Sequence, residues 1–222
     1  MTRTKTLLVG IVALAGGAAV PAHATTMIQQ ASFSGTQAFF PFSASTSITC
    51  ADGTTGVASA FGSVSGAQQI SISTGSPQTI SNGTFVEVDF YFNSCTNAFF
   101  SFGTGGIANS FTAPDKKLDS AAISGTGSVE DFNSPPDFLA VAVDVSFTGS
   151  GSTNSEKGTT HMKTTGSPHG NLSISHSSSA SSSRGATVTG TITIDNVNFD
   201  AASAVSFADM NSNSSSQFSV SK

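Results

Sequence analysis

Hydrophobic and polar residues alternate in short runs along most of the chain. No segment after the first 24 residues keeps the 3.6-residue period of an amphipathic helix. The clearest of these runs is Phe85–Phe92. Its alternation matches a β-strand, in which successive side chains point to opposite faces of the sheet. This alternation predicts a half-buried strand whose inward face carries Val86, Val88, Phe90 and Phe92. Its outward face is predicted to carry Phe85, Glu87, Asp89 and Tyr91.

Other alternating runs are separated by turn residues. Phe138–Phe147 and Ala186–Ile194 predict strands, whereas the serine run Ser177–Ser183 predicts a mobile loop or an edge. Asn82-Gly83 is a hairpin signal before the central strand. Many short strands with turn signals between them are typical of an all-β fold, here an antiparallel β-sandwich of about ten to twelve strands.

The two cysteines, Cys50 and Cys95, predict one disulfide if the chain is exported. On the chain-entropy model, closing such a loop stabilises the fold by about 4 kcal/mol. The bond would attach the end of the central strand to an earlier part of the chain.

Residues 1–24 have the pattern of a secretory signal peptide. Arg3 and Lys5 precede the apolar run Leu7–Val20, and Ala22-His23-Ala24 is a small-x-small cleavage site. The apolar run is shorter than the roughly 20 residues of a spanning helix, so we predict no integral membrane anchor. We therefore predict a secreted protein, periplasmic or extracellular, whose residues 25–222 form a single domain. The weak candidate boundary within that domain is 149–158.

Charged residues make up only 9% of the chain, and they are mostly acidic. All 13 acidic residues follow the signal, whereas 6 of the 8 basic residues do, so the mature net charge is 6 − 13 = −7. Nucleic-acid binding needs clustered Lys or Arg, so this composition argues against it. The chain has 18 phenylalanines but no tryptophan, which suits a core or an apolar contact surface.

Two segments, Ala38–Phe42 and Ala98–Phe102, each contain a Phe-Phe pair. Consecutive residues of a strand point to opposite faces, so one ring of each pair must face something other than the core. The rings either pack under loops or form an exposed patch for a protein partner or a membrane surface. The candidate interaction patch consists of Phe39, Phe40, Phe42, Phe99, Phe100 and Phe102.

Metal binding is only weakly indicated. The residues around 166–170 predict a hairpin, and if Met162 lies opposite Leu172, His161 and His176 face opposite sides. The oxygen donors further along the chain lack the glycine and distal glutamate of a calcium-binding EF-hand loop. The weak metal candidates are therefore His161, His176, Asn196, Asn198 and Asp200, and we predict no cofactor.

Catalytic motifs are equally weak. Glu87 and Asp89 lie about 7 Å apart on one strand, but glycosidases place their two carboxylates on opposite sides of the sugar. No Gly-x-Ser-x-Gly motif is present. We therefore predict that the protein is not an enzyme.

The leading hypothesis is a non-enzymatic extracellular or cell-surface protein that acts through protein contacts or self-association. One alternative is a membrane-active, pore-forming-like β protein, because Ser/Thr-rich hairpins with one apolar face can become spanning strands. Another alternative is a polysaccharide-binding module or a hydrolase.

Overall fold

A computed structural model describes residues 27–75, 78–132, 138–165 and 172–221. In these residues the chain is all-β and antiparallel, with one four-residue helix and a Cys50–Cys95 disulfide. The all-β, antiparallel character and the disulfide predicted from the sequence are thereby confirmed. The predicted signal segment, residues 1–24, lies outside the described residues. The elements are β1 (Met27–Thr49), β2 (Thr55–Ser73), β3 (Thr79–Asn93), β4 (Ala98–Phe100), β5 (Gly103–Thr112), β6 (Ser120–Asp131), β7 (Phe138–Gly149), β8 (Asn154–Thr165), β9 (Leu172–Ile194), β10 (Val197–Asp200), α1 (Ala201–Ala204) and β11 (Ala208–Ser221).

All 11 strands belong to one sheet, so the predicted pair of packed sheets is not confirmed. Along the sheet the strand order is β10-β9-β11-β1-β2-β3-β5-β6-β7. β7 also pairs with β9, from Val141 opposite Ile194 to Gly149 opposite Ala186. This pairing joins β7, at one end of the path, to β9, the second strand from the other end, so the sheet closes on itself.

The closed half of the molecule contains the core. It comprises residues 38–66 of β1 and β2, residues 85–132 and 138–149, and residues 186–210. Strand β7 alternates between buried and exposed side chains along nearly its whole length, which identifies an inner and an outer face. Phe40 of β1 and Phe147 of β7 are not on neighbouring strands, yet their ring centroids are 5.6 Å apart. The inner face is therefore packed across the interior.

The open half is the remaining part of the sheet. It consists of six strand segments in the order β8, β9 (172–183), β11 (212–221), β1 (27–37), β2 (67–73) and β3 (79–84). Few of its side chains are buried, and every residue of β8 from Asn154 to Thr164 is exposed. The predicted boundary segment, 149–158, contains the end of β7 and the start of β8.

A β-bulge in β3 overturns the predicted alternation of the central strand. Phe61 pairs with Phe90 but Gly62 pairs with Val88, so Asp89 is an extra residue. An extra residue exchanges the faces of everything that follows it. Val86 and Val88 point inward as predicted. Tyr91 is also fully buried, and the prediction that Phe90 and Phe92 share the inner face was wrong.

Two local predictions in the open half were also wrong. Ser177–Ser183 is neither a loop nor an edge, because it lies inside β9 with β8 on one side and β11 on the other. Asn82-Gly83 is not a turn but lies inside β3, opposite Gln68 and Ala67 of β2. In both places hydrogen bonding to a long neighbouring strand outweighs the local preference for a loop or turn.

The disulfide joins two loops at one end of the closed half. The Cα atoms of Cys50 and Cys95 are 5.2 Å apart. Gly56 packs against the bond, since a Cβ atom added there would lie 2.5 Å from Cys95 Sγ. In the described residues no helix has the length and apolar character needed to cross a membrane.

Candidate functional surfaces

The six phenylalanines of the candidate patch do not lie together on the surface. Phe40, Phe42 and Phe100 are core residues. Phe39 is half-buried beside the ring of Phe207, at a centroid distance of 6.3 Å. Only Phe99 and Phe102 are exposed. The alternation rule thus holds for both Phe-Phe pairs, with one ring inside and the other on the outer face.

An outer aromatic cluster surrounds Phe99, and two of its members, Phe61 and Phe90, were not predicted to lie on this surface. Phe61 and Phe90 stack with ring centroids 5.4 Å apart, and Phe99 meets Phe90 edge to face at 5.7 Å. The bulge places Phe90 on this surface, and the β2–β3 register brings Phe61 opposite it. Phe61 and Phe99 remain 45% and 65% exposed, so the cluster is an apolar surface available for contact.

Glu87 lies on the same strand, next to the bulge. Partial burial raises the pKa of the Glu87 carboxyl, and the neighbouring Asp89 carboxylate raises it further. The Glu87 and Asp89 side chains are two residues apart on β3. They remain on one strand and one surface, which is not the two-sided arrangement of a glycosidase.

The structure brings His161 and His176 together, contrary to the predicted hairpin register. Thr165 lies opposite Leu172, so Met162 faces Ser175 and His161 faces His176 directly. The two Nδ1 atoms are 2.9 Å apart, and the ring centroids are 4.2 Å apart. The predicted register was wrong because it placed Met162 opposite Leu172, three positions from its observed partner. Another histidine, His169, follows β8 in the sequence and lies outside the described residues.

The three oxygen candidates near residue 198 have other roles. Asn196 lies in the β9–β10 turn, where Asp195 and Asn196 both have positive φ, as the type I′ hairpin turn requires. The Asn198 amide oxygen accepts a hydrogen bond from the Thr193 hydroxyl at 2.8 Å. Asp200 caps α1 by accepting from the backbone N–H of Ala202 at 3.2 Å. Across the described residues, no group of three or more His, Cys, Asp or Glu side chains could hold a metal ion.

A groove of about 770 Å³ lies in the open half. Serines of β9 and β11 line it together with Phe33, Ile72 and Gln217. As far as the structure describes its lining, no titratable side chain contributes. Such a surface offers hydroxyl and amide groups for hydrogen bonding but no group for proton transfer at neutral pH.

Two strand edges border the open half. β8 pairs with β9 on one side only, and β5 reaches β3 only at Phe85–Val88. Within the described ranges, no strand covers the outer edge of β8 or the β3 segment Thr79–Thr84. Backbone N–H and C=O groups on such edges can pair with another strand.

No match to this chain was found among protein-family models, curated proteins or solved structures. The functional assignment therefore depends on these surfaces alone.

Proposed function

We propose that the protein is a secreted, non-enzymatic protein that acts outside the cytoplasm through protein contacts, above all with further copies of itself. The observation that supports this proposal is the open half, a six-strand sheet with exposed faces and two uncovered edges. The disulfide is compatible with an oxidising compartment. The outer aromatic cluster supplies a second contact surface for a protein partner.

The two edges differ in how readily each can pair with a strand of another molecule. β8 carries Glu156, Lys157 and Lys163, and charged side chains on an edge discourage the approach of another strand. The β3 segment Thr79–Thr84 carries no charge, and its Ile80 is 57% exposed. Pairing of this segment with the same segment of a second copy would extend the sheet across a two-fold axis. An isologous contact of this kind closes as a dimer rather than growing into a fibre.

Sedimentation velocity over a range of concentrations tests the proposal. The oxidised wild-type protein should shift from monomer toward dimer as its concentration rises. Ser81→Lys places a charge on the uncovered β3 edge and should move this equilibrium toward the monomer by about tenfold, which corresponds to about 1.4 kcal/mol.

Thr160→Lys is the matched control, because it makes the same kind of change on the exposed β8 strand. It should leave the equilibrium as in the wild type. A wild-type protein that stays monomeric at every concentration would overturn self-association. Equal effects of Ser81→Lys and Thr160→Lys would show that the association does not use the β3 edge.

The membrane-active alternative is favoured by a separate observation. The far end of the open half carries exposed apolar side chains, among them Ile28, Ile72 and Phe218. Ile28 lies opposite Val220, which lies opposite Ile174, so this end of the sheet has a continuous apolar row. Dye-loaded phosphatidylcholine vesicles separate the two proposals. Leakage that is lost in Ile72→Ser would favour membrane activity, and intact vesicles at all protein concentrations would exclude it.

A further inference from the structure

We propose that His161 and His176 form a two-imidazole chelating site for a divalent late transition-metal ion, with Cu²⁺ preferred. The two residues lie directly opposite each other on β8 and β9, which fixes both side chains on the same face of the sheet. Their Nδ1 atoms approach to 2.9 Å. The pair is independent of the edge-pairing proposal, because its ligands are side chains rather than edge backbone groups.

The separation of the nitrogens fits adjacent positions of a square-planar site. Two nitrogens that each lie about 2.0–2.1 Å from an ion, at an angle of about 90°, are about 2.9 Å apart. Tetrahedral coordination would require about 3.4 Å, a separation typical of Zn²⁺ sites. Square-planar nitrogen coordination is characteristic of Cu²⁺ and Ni²⁺, and Cu²⁺ has the higher affinity of the two.

A bound ion would replace the hydrogen bond that joins the two Nδ1 atoms in the free protein. In the free protein one neutral ring donates its Nδ1–H and the other accepts it. When an ion binds both Nδ1 atoms, the donor ring carries its proton on Nε2 instead. No proton is gained or lost by the neutral pair, so binding needs only this change of tautomer.

The surroundings leave the other coordination positions to water. The next residue in the row is Phe218 of β11, opposite His176, and its ring can shield one side of the site. Lys163 is two residues from His161 on the same strand and shares its face, so its ammonium group lowers the affinity. His161 is exposed and His176 half-buried, so an ion can reach the pair from solvent.

Titration calorimetry with CuSO₄ in a non-coordinating buffer, combined with electron paramagnetic resonance, tests the site. The oxidised full chain should bind one Cu²⁺, and the spectrum should show coupling to two equivalent nitrogens. His161→Ala and His176→Ala should each weaken binding by at least about tenfold, since even loss of an outer-shell partner of a metal ligand costs about 10–100-fold. Cu²⁺ should also raise the unfolding temperature of the wild type but not of either variant.

His169→Ala is the matched control, because it removes a histidine from the connection between the same two strands. It should bind Cu²⁺ as the wild type does. Far-ultraviolet circular dichroism of each variant checks that the sheet is intact. Binding that survives His161→Ala, or that disappears in His169→Ala, would overturn the assignment of this pair as the chelating site.

Discussion

The closed and open halves of one sheet are ordered in different ways. In the closed half, inward side chains such as Phe40, Phe147 and Ile192 are fully or almost fully buried. In the open half, serines of β9 lie opposite serines of β11 at five positions, and few side chains are buried. Apolar burial therefore stabilises the closed half. The open half depends on backbone hydrogen bonds between strands that continue out of the closed half.

This difference shows that a long strand can cross from one environment to the other. Strands β1 and β9 each have 23 residues, and each contributes one segment to the closed half and one to the open half. Arg184 of β9 lies at the crossing point, where the neighbour of β9 changes from β7 to β8. Its guanidinium contacts the Asp119 carboxylate and donates to the carbonyl oxygens of Gly151 and Lys117. The open half is thereby attached to the closed half by side chains as well as by backbone.

Truncation of one large side chain in each half should give the largest contrast. Phe147→Ala removes a ring that is 1% exposed and packs on Phe40, and we expect a loss of about 3–5 kcal/mol in the free energy of unfolding. Phe218→Ala makes the same change at a ring that is 39% exposed in the open half, and should cost about 1 kcal/mol or less. Urea unfolding of both variants measures the difference. Equal losses in the two variants would show that apolar packing stabilises the open half as strongly as the closed half.

Removal of the disulfide should destabilise the closed half by a similar amount. The bond spans 45 residues of sequence, for which the chain-entropy model gives about 4 kcal/mol. The double variant Cys50→Ser/Cys95→Ser and the reduced wild type should lose this stability to the same extent. An unchanged urea midpoint after reduction would contradict the role of the bond.

Replacement of Arg184 should loosen the open half without unfolding the closed half. Arg184→Met keeps the apolar stem but removes the hydrogen bonds to Asp119 and to the carbonyl oxygens of Gly151, Lys117 and Leu118. We expect a cost of about 1–3 kcal/mol, because hydrogen bonds made by a charged group are lost. Hydrogen exchange should become faster in β8 and in residues 172–183 of β9, but not in β7.

Asp119→Asn is the control for the charge alone. The Asp119 side chain is 54% exposed, so the ion pair by itself should contribute about 1 kcal/mol or less. A cost equal to that of Arg184→Met would mean that the carboxylate, rather than the carbonyl contacts, holds the crossing point together.

Tyr91 should give the smallest effect at neutral pH and a clear one at alkaline pH. Burial raises the pKa of its phenol above the ordinary value, and the nearby Asp195 carboxylate raises it further. The folded state then keeps a proton that the unfolded state releases above about pH 10. Stability is therefore unaffected below that pH and falls as the pH rises toward the folded-state pKa.

The Tyr91→Phe variant should lose this alkaline dependence. It also removes two long hydrogen bonds, to Asp195 at 3.4 Å and from Asn93 at 3.3 Å, at a cost of about 0.5–1.5 kcal/mol. Tyr91 is the only tyrosine in the chain, so ultraviolet absorbance follows its ionisation directly. Ionisation at the ordinary tyrosine pKa would contradict its burial.

Two features of the fold do not follow from the sequence pattern, each for a specific physical reason. The alternation of Phe85–Phe92 predicted the inner face correctly up to Val88, but it could not show the extra residue at Asp89, since a bulge has no fixed sequence signature. The buried Tyr91 and the exposed Phe90 follow from that one residue. The His161–His176 pair was missed because a hairpin register depends on its turn, and a shift by one position changes which side chains share a face.

The amino-acid sequence by itself determined that the chain is all-β, antiparallel and joined by one disulfide. Alternation and cysteine pairing are properties of short segments and of a residue count, so they can be derived without the fold. Only the tertiary structure decided that one sheet closes through β7 and β9, that serine-rich β9 has a strand on each side, and that two histidines meet. These features depend on which distant strands pair and in which register. The hydrogen bonds between strands join backbone N–H and C=O groups, so they do not depend on which side chains the strands carry.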